Sequence, residues 1–359
     1  MMSFEIAVFP GDGIGPEVME AALAVLKALE ARHGFRLATT TWAGGAAHYR
    51  DTGEDLEKGA FEAARAADAI LFGSMGLPDV RLADGTEVAP HLEMRREFGL
   101  FAGVRPARKY PNTPALLARP EAQGIDLIVL RESTEGLFAS RGRGTVEDDR
   151  IARDFLEITR ATSEDLFDFA FNLARRRTQK GRGHGRVTCV DKANVFASMA
   201  FFRKIFDERA AQHPDVAADH AYVDAMALEL VKKPWEADVL VMENMFGDIL
   251  SDLCGGLVGG MGMAPCAEIG RAHGLFQPAH GTAPDIAGRG IANPTAMLVS
   301  AAMMLDWLGA RADAPALVEA ADALDAAVWQ AYADAAILPM ELGGTSDCAA
   351  VTTAVLERL

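Results

Sequence analysis

Five short apolar runs, separated by longer amphipathic segments, constrain most strongly how this chain can fold. The runs span residues 4–10, 67–73, 125–132, 185–192 and 237–244. Continuous apolar runs of this length predict strands that are buried on both faces. The amphipathic segments at 16–32, 155–177 and 198–212 predict helices between them. Strands that alternate with helices indicate an α/β fold with a largely parallel sheet.

The length of the chain predicts more than one core. At 359 residues it exceeds what a single hydrophobic core usually covers, so we expect two lobes or one enlarged α/β domain. No proline-rich or low-complexity linker separates the lobes, which predicts that they share strands and that the chain crosses between them more than once. The polar, glycine-containing segment 140–150 is predicted to project as a loop or hairpin.

Charge and composition exclude several classes of protein. The formal net charge of −16 argues against a nucleic-acid surface. No apolar run approaches the roughly 20 residues of a membrane span, and the amino terminus lacks the basic-then-apolar order of a signal peptide. We therefore expect a cytoplasmic enzyme without nucleic-acid or membrane partners. The four cysteines show no CxxC pair and are expected to be reduced and mostly buried.

The segment "GDGIGPEV" (11–18) follows the first predicted strand directly. Its glycines permit a tight turn, and Pro16 is favoured at the first position of a helix whose free N–H groups face that turn. An anion or cofactor could dock there. The spacing is not G-x-G-x-x-G, so a plain strand-to-helix turn is an equal alternative.

Three arginines near element boundaries are candidates for binding a dianion: Arg95, Arg105 and Arg131. A guanidinium group presents planar, bidentate donors that suit a carboxylate. Each arginine taken singly is also compatible with a solvated surface position, and sequence alone does not show that the three converge.

The stretch "MENMFGDILSDL" (242–253) places Asp248 and Asp252 four residues apart among apolar neighbours. On a helix these carboxylates share one face, where they repel each other unless a cation lies between them. Oxygen ligands of this kind suit Mg²⁺ or Mn²⁺. Solvated aspartates, caps or ion-pair partners are the alternative. The adjacent glycine-dense stretch favours close approach of a ligand.

Two further stretches carry isolated polar residues. "YVDAMA" (222–227) contains Asp224, and "VDKANV" (190–195) ends a strand with Lys192 and Asn194. A lysine close to a metal and partly desolvated has a lowered pKa and can act in proton transfer. A simple ion pair between Lys192 and Asp191 is the alternative.

These motifs together resemble one enzyme family. "GDGIGPEV", "VRP", "RESTEG", "VDKANV", "YVDAMA", "NMFGDILSDL" and "HGTAPDIAGRGIANPTA" occur in the order and spacing of the metal-dependent β-decarboxylating dehydrogenases, which act on isopropylmalate, isocitrate, homoisocitrate, tartrate or D-malate. The resemblance runs from residue 5 to about residue 350.

The resemblance implies an isopropylmalate dehydrogenase-like α/β fold, distinct from a Rossmann fold, in a homodimer with shared active sites. Residues 1–105 with 258–359 would form the cofactor-side lobe. Residues 106–257 would form the substrate and dimerisation lobe, with a projecting clasp near 139–150, and the active site would lie in the cleft between the lobes.

The resemblance also implies roles for the candidate residues. Asp248 and Asp252, joined by Asp224 of the partner subunit, would bind Mg²⁺ or Mn²⁺. The three arginines would hold the carboxylates of a malate-type 2-hydroxy acid, with Asn194 beside them, and the partner's Lys192 would act in proton transfer. The reaction implied is oxidation at C2 followed by loss of CO₂.

The segment "HGTAPDIAGRGIAN" resembles a loop that wraps the adenosine of the cofactor. Asp285 would accept hydrogen bonds from the ribose hydroxyls and repel a 2′-phosphate, so NAD is expected rather than NADP. His280 and Asn293 would contact the adenine, although capping or turn roles are alternatives. The full set of predicted cofactor-binding residues is His280, Gly281, Thr282, Ala283, Pro284, Asp285, Ile286 and Asn293.

The chain departs from the family pattern at three positions that bear on substrate and chemistry. Phe138 occupies the position of a tyrosine that helps protonate the enolate, and Gly103 replaces an asparagine that contacts the nicotinamide. His91 lies where the family reads the variable group at C3, so it could contact the substrate or pack at the pocket rim. The serine and asparagine that grip a third carboxylate are absent, which argues against isocitrate.

Two functions remain compatible with the sequence. The first is NAD-dependent oxidative decarboxylation of 3-isopropylmalate, tartrate or D-malate. The second is a non-decarboxylating oxidation or a regulatory, binding role, which Phe138 and Gly103 would explain. The retained arginines, aspartates and Lys192 favour the first.

Overall fold

A computed structural model describes residues 2–359, and it confirms the predicted α/β class. The strands are β1 (Ser3–Gly11), β2 (Arg36–Thr41), β3 (Ala69–Ser74), β4 (Ala102–Arg108), β5 (Asp126–Glu132), β6 (Thr145–Glu147), β7 (Ile151–Arg153), β8 (Arg186–Asp191), β9 (Ala217–Tyr222), β10 (Val239–Met242), β11 (Pro265–Ile269) and β12 (Gly274–Pro278). The helices are α1 (Gly15–His33), α2 (Ala46–Thr52), α3 (Ala60–Ala66), α4 (Pro90–Glu97), α5 (Arg160–Gln179), α6 (Ala197–Ala210), α7 (Val223–Lys232), α8 (Asn244–Val258), α9 (Thr295–Arg311), α10 (Pro315–Ala333) and α11 (Cys348–Leu356).

The chain forms two compact units, each built from more than one segment. The first, the terminal unit, contains the residues up to Leu100, Tyr110–Leu116 and Gly259–Leu359. The second, the central unit, contains Phe101–Lys109 and Leu117–Val258.

The terminal unit is built on strands in the order β2-β1-β3-β12-β11. β1 pairs in parallel with β2 and β3, β12 pairs in parallel with β3, and β11 runs antiparallel to β12. Apolar side chains from β1 and β3, among them Phe9 and Phe72, form a core with Met94 of α4 and Leu275 of β12. This core fixes the position of α4, the helix that carries His91 and Arg95.

The central unit is built on strands in the order β4-β5-β10-β8-β9. β4 runs antiparallel to β5, whereas β5, β10, β8 and β9 are mutually parallel. The largely parallel arrangement predicted from the sequence is therefore confirmed, and one strand of each unit, β11 or β4, runs against its neighbour. β6 and β7 form a separate exposed hairpin at residues 145–153, which overlaps the segment 140–150 predicted to project, although β7 lies just beyond that segment.

Two details of the elements differ from the sequence prediction. The helix predicted from residue 155 begins at Arg160, because the Glu135 carboxylate accepts a hydrogen bond from the extended backbone N–H of Thr159 (2.8 Å). The strands β2 and β9 were not predicted, since they are polar edge strands whose side chains are largely exposed.

All four cysteines are buried, as expected. No helix within residues 2–359 combines the length and the apolar character needed to cross a bilayer.

Candidate active site

The "GDGIG" turn is fixed by close backbone packing within the terminal unit. Gly13 has a φ of +59°, and a Cβ at this position would overlap the Thr282 carbonyl, which accepts a hydrogen bond from the Ile14 N–H (2.8 Å). The buried Asp12 carboxylate accepts hydrogen bonds from the Ala46 and Ala47 N–H groups (2.6 and 2.9 Å) at the start of α2. This packing accounts for the glycines without a bound anion, which favours the plain-turn alternative.

The same packing holds the predicted adenosine loop against this turn. The Thr282 hydroxyl donates to the Gly76 carbonyl (2.7 Å), and Ala283 next to it has a φ of +38°. Gly281, Pro284 and Asp285 are exposed, and Ile286 is half-buried. The loop is thus anchored at Thr282 and presents the Asp285 carboxylate to solvent, where a ribose could reach it.

His280 has one buried ring nitrogen without a protein partner. Its Nδ1 lies 2.9 Å from the Gly281 carbonyl, which can only accept, so Nδ1 carries the proton. Burial lowers the pKa of the ring, and a neutral imidazole then has a bare Nε2. Within residues 2–359 this buried Nε2 has no hydrogen-bond partner. A ligand that presents an N–H donor, such as the amino group of adenine, fits this position.

The side chain of Asn293, the other predicted adenine contact, already forms its hydrogen bonds within the protein. Its Nδ2 donates to the Glu341 carboxylate (3.1 Å) and lies 3.2 Å from the Met263 sulfur, and its Oδ1 accepts from the Thr295 N–H (3.1 Å). The side chain is buried. These contacts favour the capping alternative for Asn293.

Arg131 is held at the end of β5 by residues on α8. Its Nε and one terminal nitrogen both donate to Asn244 Oδ1 (2.9 and 2.7 Å), and it forms an ion pair with Asp248. Gly247 makes this approach possible, since a Cβ there would lie 2.6 Å from the Arg131 Cβ. The ring of Phe138 lies against the guanidinium, with Cζ 5.1 Å from the ring centroid.

The first turns of α8 form a polar stripe that faces the arginines of the central unit. Asn244, Asp248 and Asp252 follow one another at intervals of four residues, and α8 begins where the buried Glu243 carboxylate accepts the Met245 and Phe246 N–H groups (3.0 and 2.7 Å). Partial burial raises the pKa of Asp252, Arg105 lowers it, and the neighbouring Asp248 raises it. The two carboxylates therefore repel each other at the place predicted to hold a cation.

Lys192 pairs with Asp224 and not with Asp191. The Lys192 ammonium donates to Asp224, and this hydrogen bond lowers the pKa of the Asp224 carboxyl. Asp191 instead accepts both donors of the Arg203 fork (2.7 and 2.8 Å). The simple ion pair with Asp191 weighed for Lys192 is thus wrong. Asn194, two residues beyond Lys192, is exposed.

A single chain does not assemble the predicted three-aspartate site. Among residues 2–359, no three His, Cys, Asp or Glu side chains are grouped so that they could hold a metal ion. One chain brings Asp248 and Asp252 onto one helix face and places Asp224 with Lys192. Carboxylate pairs suit a hard divalent cation, and a third ligand from a second chain would complete such a site.

On α4 of the terminal unit, His91 and Arg95 lie four residues apart and so share a face. The His91 ring packs edge-on against Phe72, with the centroids 5.8 Å apart. Arg95 is buried and forms an ion pair with the buried Glu268 of β11 (2.7 Å). The Arg95 Nε has no hydrogen-bond partner within residues 2–359.

Sequence reasoning missed Asn244, Glu268 and Glu132. Asn244 could have been found, because it precedes Asp248 by one helical turn in the same motif. Glu268 is a lone acid in an apolar strand, a signal that marks a buried pair without naming its partner. Glu132 follows Arg131 directly and is 1% exposed.

Glu132 is a buried carboxyl group with an unusually high pKa. Burial raises the pKa to about 7, against the lowering effect of the Thr134 hydroxyl (2.6 Å) and of the Thr134 and Glu135 N–H groups (2.7 Å each), which donate to the carboxylate. The folded protein therefore keeps this proton up to about pH 7, whereas the unfolded chain loses it near pH 4.5.

We expect the stability of the protein to reflect this proton. Its contribution is complete below pH 4.5 and is lost as pH rises through about 7. The difference in unfolding free energy between the wild type and Glu132→Gln should fall by about 2 kcal/mol from pH 5 to pH 8. Urea denaturation at both pH values measures it, with the exposed Glu319→Gln as control. A difference that does not change with pH would show that Glu132 stays ionised.

Comparison with known proteins agrees with the resemblance found in the sequence. The family model for isocitrate/isopropylmalate dehydrogenase matches residues 5–357. The 3-isopropylmalate dehydrogenase of Xanthomonas euvesicatoria pv. vesicatoria is 42% identical over 329 residues, 89% of this chain and 90% of the relative. The 3-isopropylmalate/3-methylmalate dehydrogenase of Methanocaldococcus jannaschii is 39% identical over 99% of this chain and 98% of its own.

Solved structures give the same result. The crystal structure of isocitrate dehydrogenase from Methylococcus capsulatus matches with a TM-score of 0.86 at 34% identity and covers 99% of each chain. The β-decarboxylating dehydrogenase from Thermococcus kodakarensis in its apo form matches with a TM-score of 0.79 at 33% identity, over 99% of this chain and 96% of its own.

Proposed function

Since this chain belongs to the isocitrate/isopropylmalate dehydrogenase family, we propose that it is an NAD-dependent and divalent-metal-dependent 3-isopropylmalate dehydrogenase. Membership makes it a β-decarboxylating dehydrogenase, an oxidoreductase that oxidatively decarboxylates a malate-type acid. The observation that carries the finer proposal is the stripe of Asn244, Asp248 and Asp252 on α8, which places two carboxylates beside the tethered Arg131.

The residues of the stripe fit a divalent cation. Asp248 and Asp252 would hold Mg²⁺ or Mn²⁺ together with the partner subunit's Asp224. When bound, the cation supplies a Lewis acid for the C2 oxygen of the substrate, and NAD supplies the hydride acceptor. His280, with its bare buried Nε2, and the exposed Asp285 support NAD as the cofactor.

The chain's own residues bind and orient the substrate. Arg95, Arg105 and Arg131 donate to its carboxylates, and the Asn244 tether holds the Arg131 fork in a fixed direction before substrate arrives. Lys192 takes up or returns the proton at the C2 hydroxyl. In the single chain the Lys192 ammonium donates to Asp224. Recruitment of Asp224 to a cation would remove that partner.

A homodimer with shared sites is part of this proposal. The central unit exposes apolar side chains that a monomer would leave in water: Leu228 and Val231 on α7, Ile249 on α8, and Val146 and Ile151 on the hairpin. α7 and α8 are neighbours in the central unit, and exposed apolar residues on neighbouring elements are typical of an interface. Contact between two copies through these elements would bring Lys192 and Asp224 of one chain to the stripe of the other as a pair.

Two observations support 3-isopropylmalate as the substrate: the names of the relatives, and Phe138, where the chain departs from the family pattern. Relatives named for 3-isopropylmalate align over nearly the whole chain, and Phe138 adds an apolar ring beside Arg131. D-malate and tartrate remain in the test as smaller malate-type acids. The cytoplasm, where a pathway dehydrogenase would find NAD, is the proposed location.

The test measures NADH and CO₂ together. The purified enzyme with NAD and Mn²⁺ is expected to give equimolar NADH and CO₂, fastest from 3-isopropylmalate in a panel with D-malate, tartrate and isocitrate, and slower with NADP than with NAD. No NADH from any of these acids would overturn the proposal and leave a binding or regulatory role. NADH without CO₂ would establish a non-decarboxylating oxidation.

The Phe138→Tyr variant tests how much kcat is lowered by the absence of a tyrosine hydroxyl at position 138. If protonation of the enolate limits turnover, a restored phenol should raise kcat by about a hundredfold or more, the lower end of the range for a positioned general acid. Phe155→Tyr is a matched control, since Phe155 is also half-exposed and lies against an arginine, with the Arg143 Cζ 4.6 Å from its centroid. An equal kcat for Phe138→Tyr and wild type would show that another group already supplies the proton.

A further inference from the structure

The Glu268 carboxylate pairs with Arg95 and so offsets the positive charge that Arg95 would otherwise bring to the proposed substrate site. Glu268 is on β11 with its side chain 0% exposed, and its Oε1 lies 2.7 Å from a terminal nitrogen of Arg95, whose side chain is 6% exposed. Water does not screen charges at this depth, so the carboxylate and the guanidinium act on their surroundings as a nearly neutral unit.

The position of Arg95 gives this neutralisation a chemical consequence. Arg95 shares a face of α4 with His91, which lies in the segment predicted to read the C3 substituent. The Arg95 Nε has no hydrogen-bond partner within residues 2–359, so the guanidinium keeps a donor for a ligand although Glu268 offsets its charge. Arg95 can therefore hydrogen-bond to a substrate without adding a full positive charge near C3.

We propose that Glu268 is a specificity-determining residue that, by neutralising Arg95, disfavours 2-hydroxy acids with a third carboxylate in the C3 substituent. The inference rests on the proposed function and deepens it, since it names the class of substrate the site selects: dicarboxylates with an uncharged C3 group. A third carboxylate would meet a nearly neutral pair in place of the full positive charge of Arg95.

The Glu268→Gln exchange isolates the charge. A glutamine oxygen can still accept from Arg95, so the orientation is kept while the negative charge is removed. The ratio of kcat/KM for isocitrate, with three carboxylates, to kcat/KM for 3-isopropylmalate, with two, is expected to rise about tenfold, the scale of one unit charge acting on another about 12 Å away at an effective dielectric constant of about 20. KM for isocitrate should carry most of the change.

Asp238→Asn is the matched control. Asp238 is also 0% exposed and pairs with a buried arginine, Arg177, at 2.8 Å. It directly precedes β10, whose opposite end, Met242, is the one that pairs with Arg131. Both variants lose a buried charge partner, so both should have a lower Tm. Only Glu268→Gln should change the substrate ratio.

Glu268→Asp provides a second measurement if Glu268→Gln does not fold. Aspartate keeps the charge but draws it back from Arg95 by one methylene group, so the ratio should rise partway toward the Gln value. A ratio that stays at the wild-type value in the variants that fold, or that rises equally in Asp238→Asn, would overturn the inference. Wild-type activity on 3-isopropylmalate would leave the proposed function standing in that case, whereas an inactive wild type would refute the function itself.

Discussion

Replacing Asp252 with asparagine is expected to lower kcat/KM with Mn²⁺ by about a thousandfold or more. Asp252 is a proposed metal ligand on the α8 stripe, and its carboxylate already repels Asp248 in the protein without a cation. A bound divalent ion contributes several kcal/mol of transition-state stabilisation, and each 1.36 kcal/mol corresponds to about tenfold in rate. Steady-state kinetics over a Mn²⁺ titration would measure the loss.

The stability of this variant separates a metal role from a structural one. Removing one of two repelling carboxylates should leave the Tm of the metal-free protein unchanged or raise it, whereas the Tm increase caused by Mn²⁺ should disappear. The same exchange at Asp322, exposed on α10, serves as control. If Asp252→Asn kept wild-type kinetics and a Mn²⁺-dependent Tm, the metal site would lie elsewhere.

Mixing two inactive variants extends this test to the shared site. Lys192→Ala removes a group proposed to act in the partner's site, and Asp252→Asn removes a ligand from a chain's own site. Mixed dimers contain one site with both defects and one site with neither, so co-refolded variants should recover up to about a quarter of wild-type activity. No recovery would indicate that each chain completes its own site.

The Arg131→Lys variant is expected to lose at least about a hundredfold in kcat/KM, mainly through KM. Arg131 uses Nε and a terminal nitrogen on Asn244 Oδ1 (2.9 and 2.7 Å), and its planar group lies against Phe138. A lysine ammonium cannot reproduce a bidentate fork or this stacking, and hydrogen bonds to charged groups contribute about 1.5–3 kcal/mol each.

Arg175→Lys is the control for this prediction. Arg175 also forms a fork, with Nε and a terminal nitrogen 2.6 and 2.9 Å from the Asp215 carboxylate, but it lies on the surface of α5. Its exchange should leave KM unchanged. Should Arg131→Lys retain the wild-type KM for 3-isopropylmalate, Arg131 does not bind a substrate carboxylate.

The sequence predicted the α/β class and the largely parallel sheet, but not the two strands that run against their neighbours. Strands β1, β3, β5, β8 and β10 were found from apolar runs because burial on both faces leaves a continuous local signal. The antiparallel β4 and β11 were not foreseen, since strand direction depends on where the chain returns to the sheet. The exposed β2 and β9 lack the apolar signal altogether.

For the candidate site, the sequence predicted which residues are involved, but it did not predict which charged side chains pair with each other. The spacing of Asp248 and Asp252 alone predicted a shared face, because a helix has a fixed period. The partners of Lys192 and Arg95 could not be predicted, since Asp224 and Glu268 lie 32 and 173 positions away along the chain. Such contacts depend on packing between distant segments.

By itself, then, the sequence determined the α/β class, the helix that carries two neighbouring carboxylates, and the set of charged residues available for chemistry. Only the tertiary structure decided which charges neutralise each other: Arg131 with Asp248, Lys192 with Asp224, and Arg95 with Glu268. The physical reason is the separation along the chain over which each interaction acts. Hydrogen-bonding periodicity and burial act over a few residues, whereas electrostatic pairing depends on distances in space that folding alone establishes.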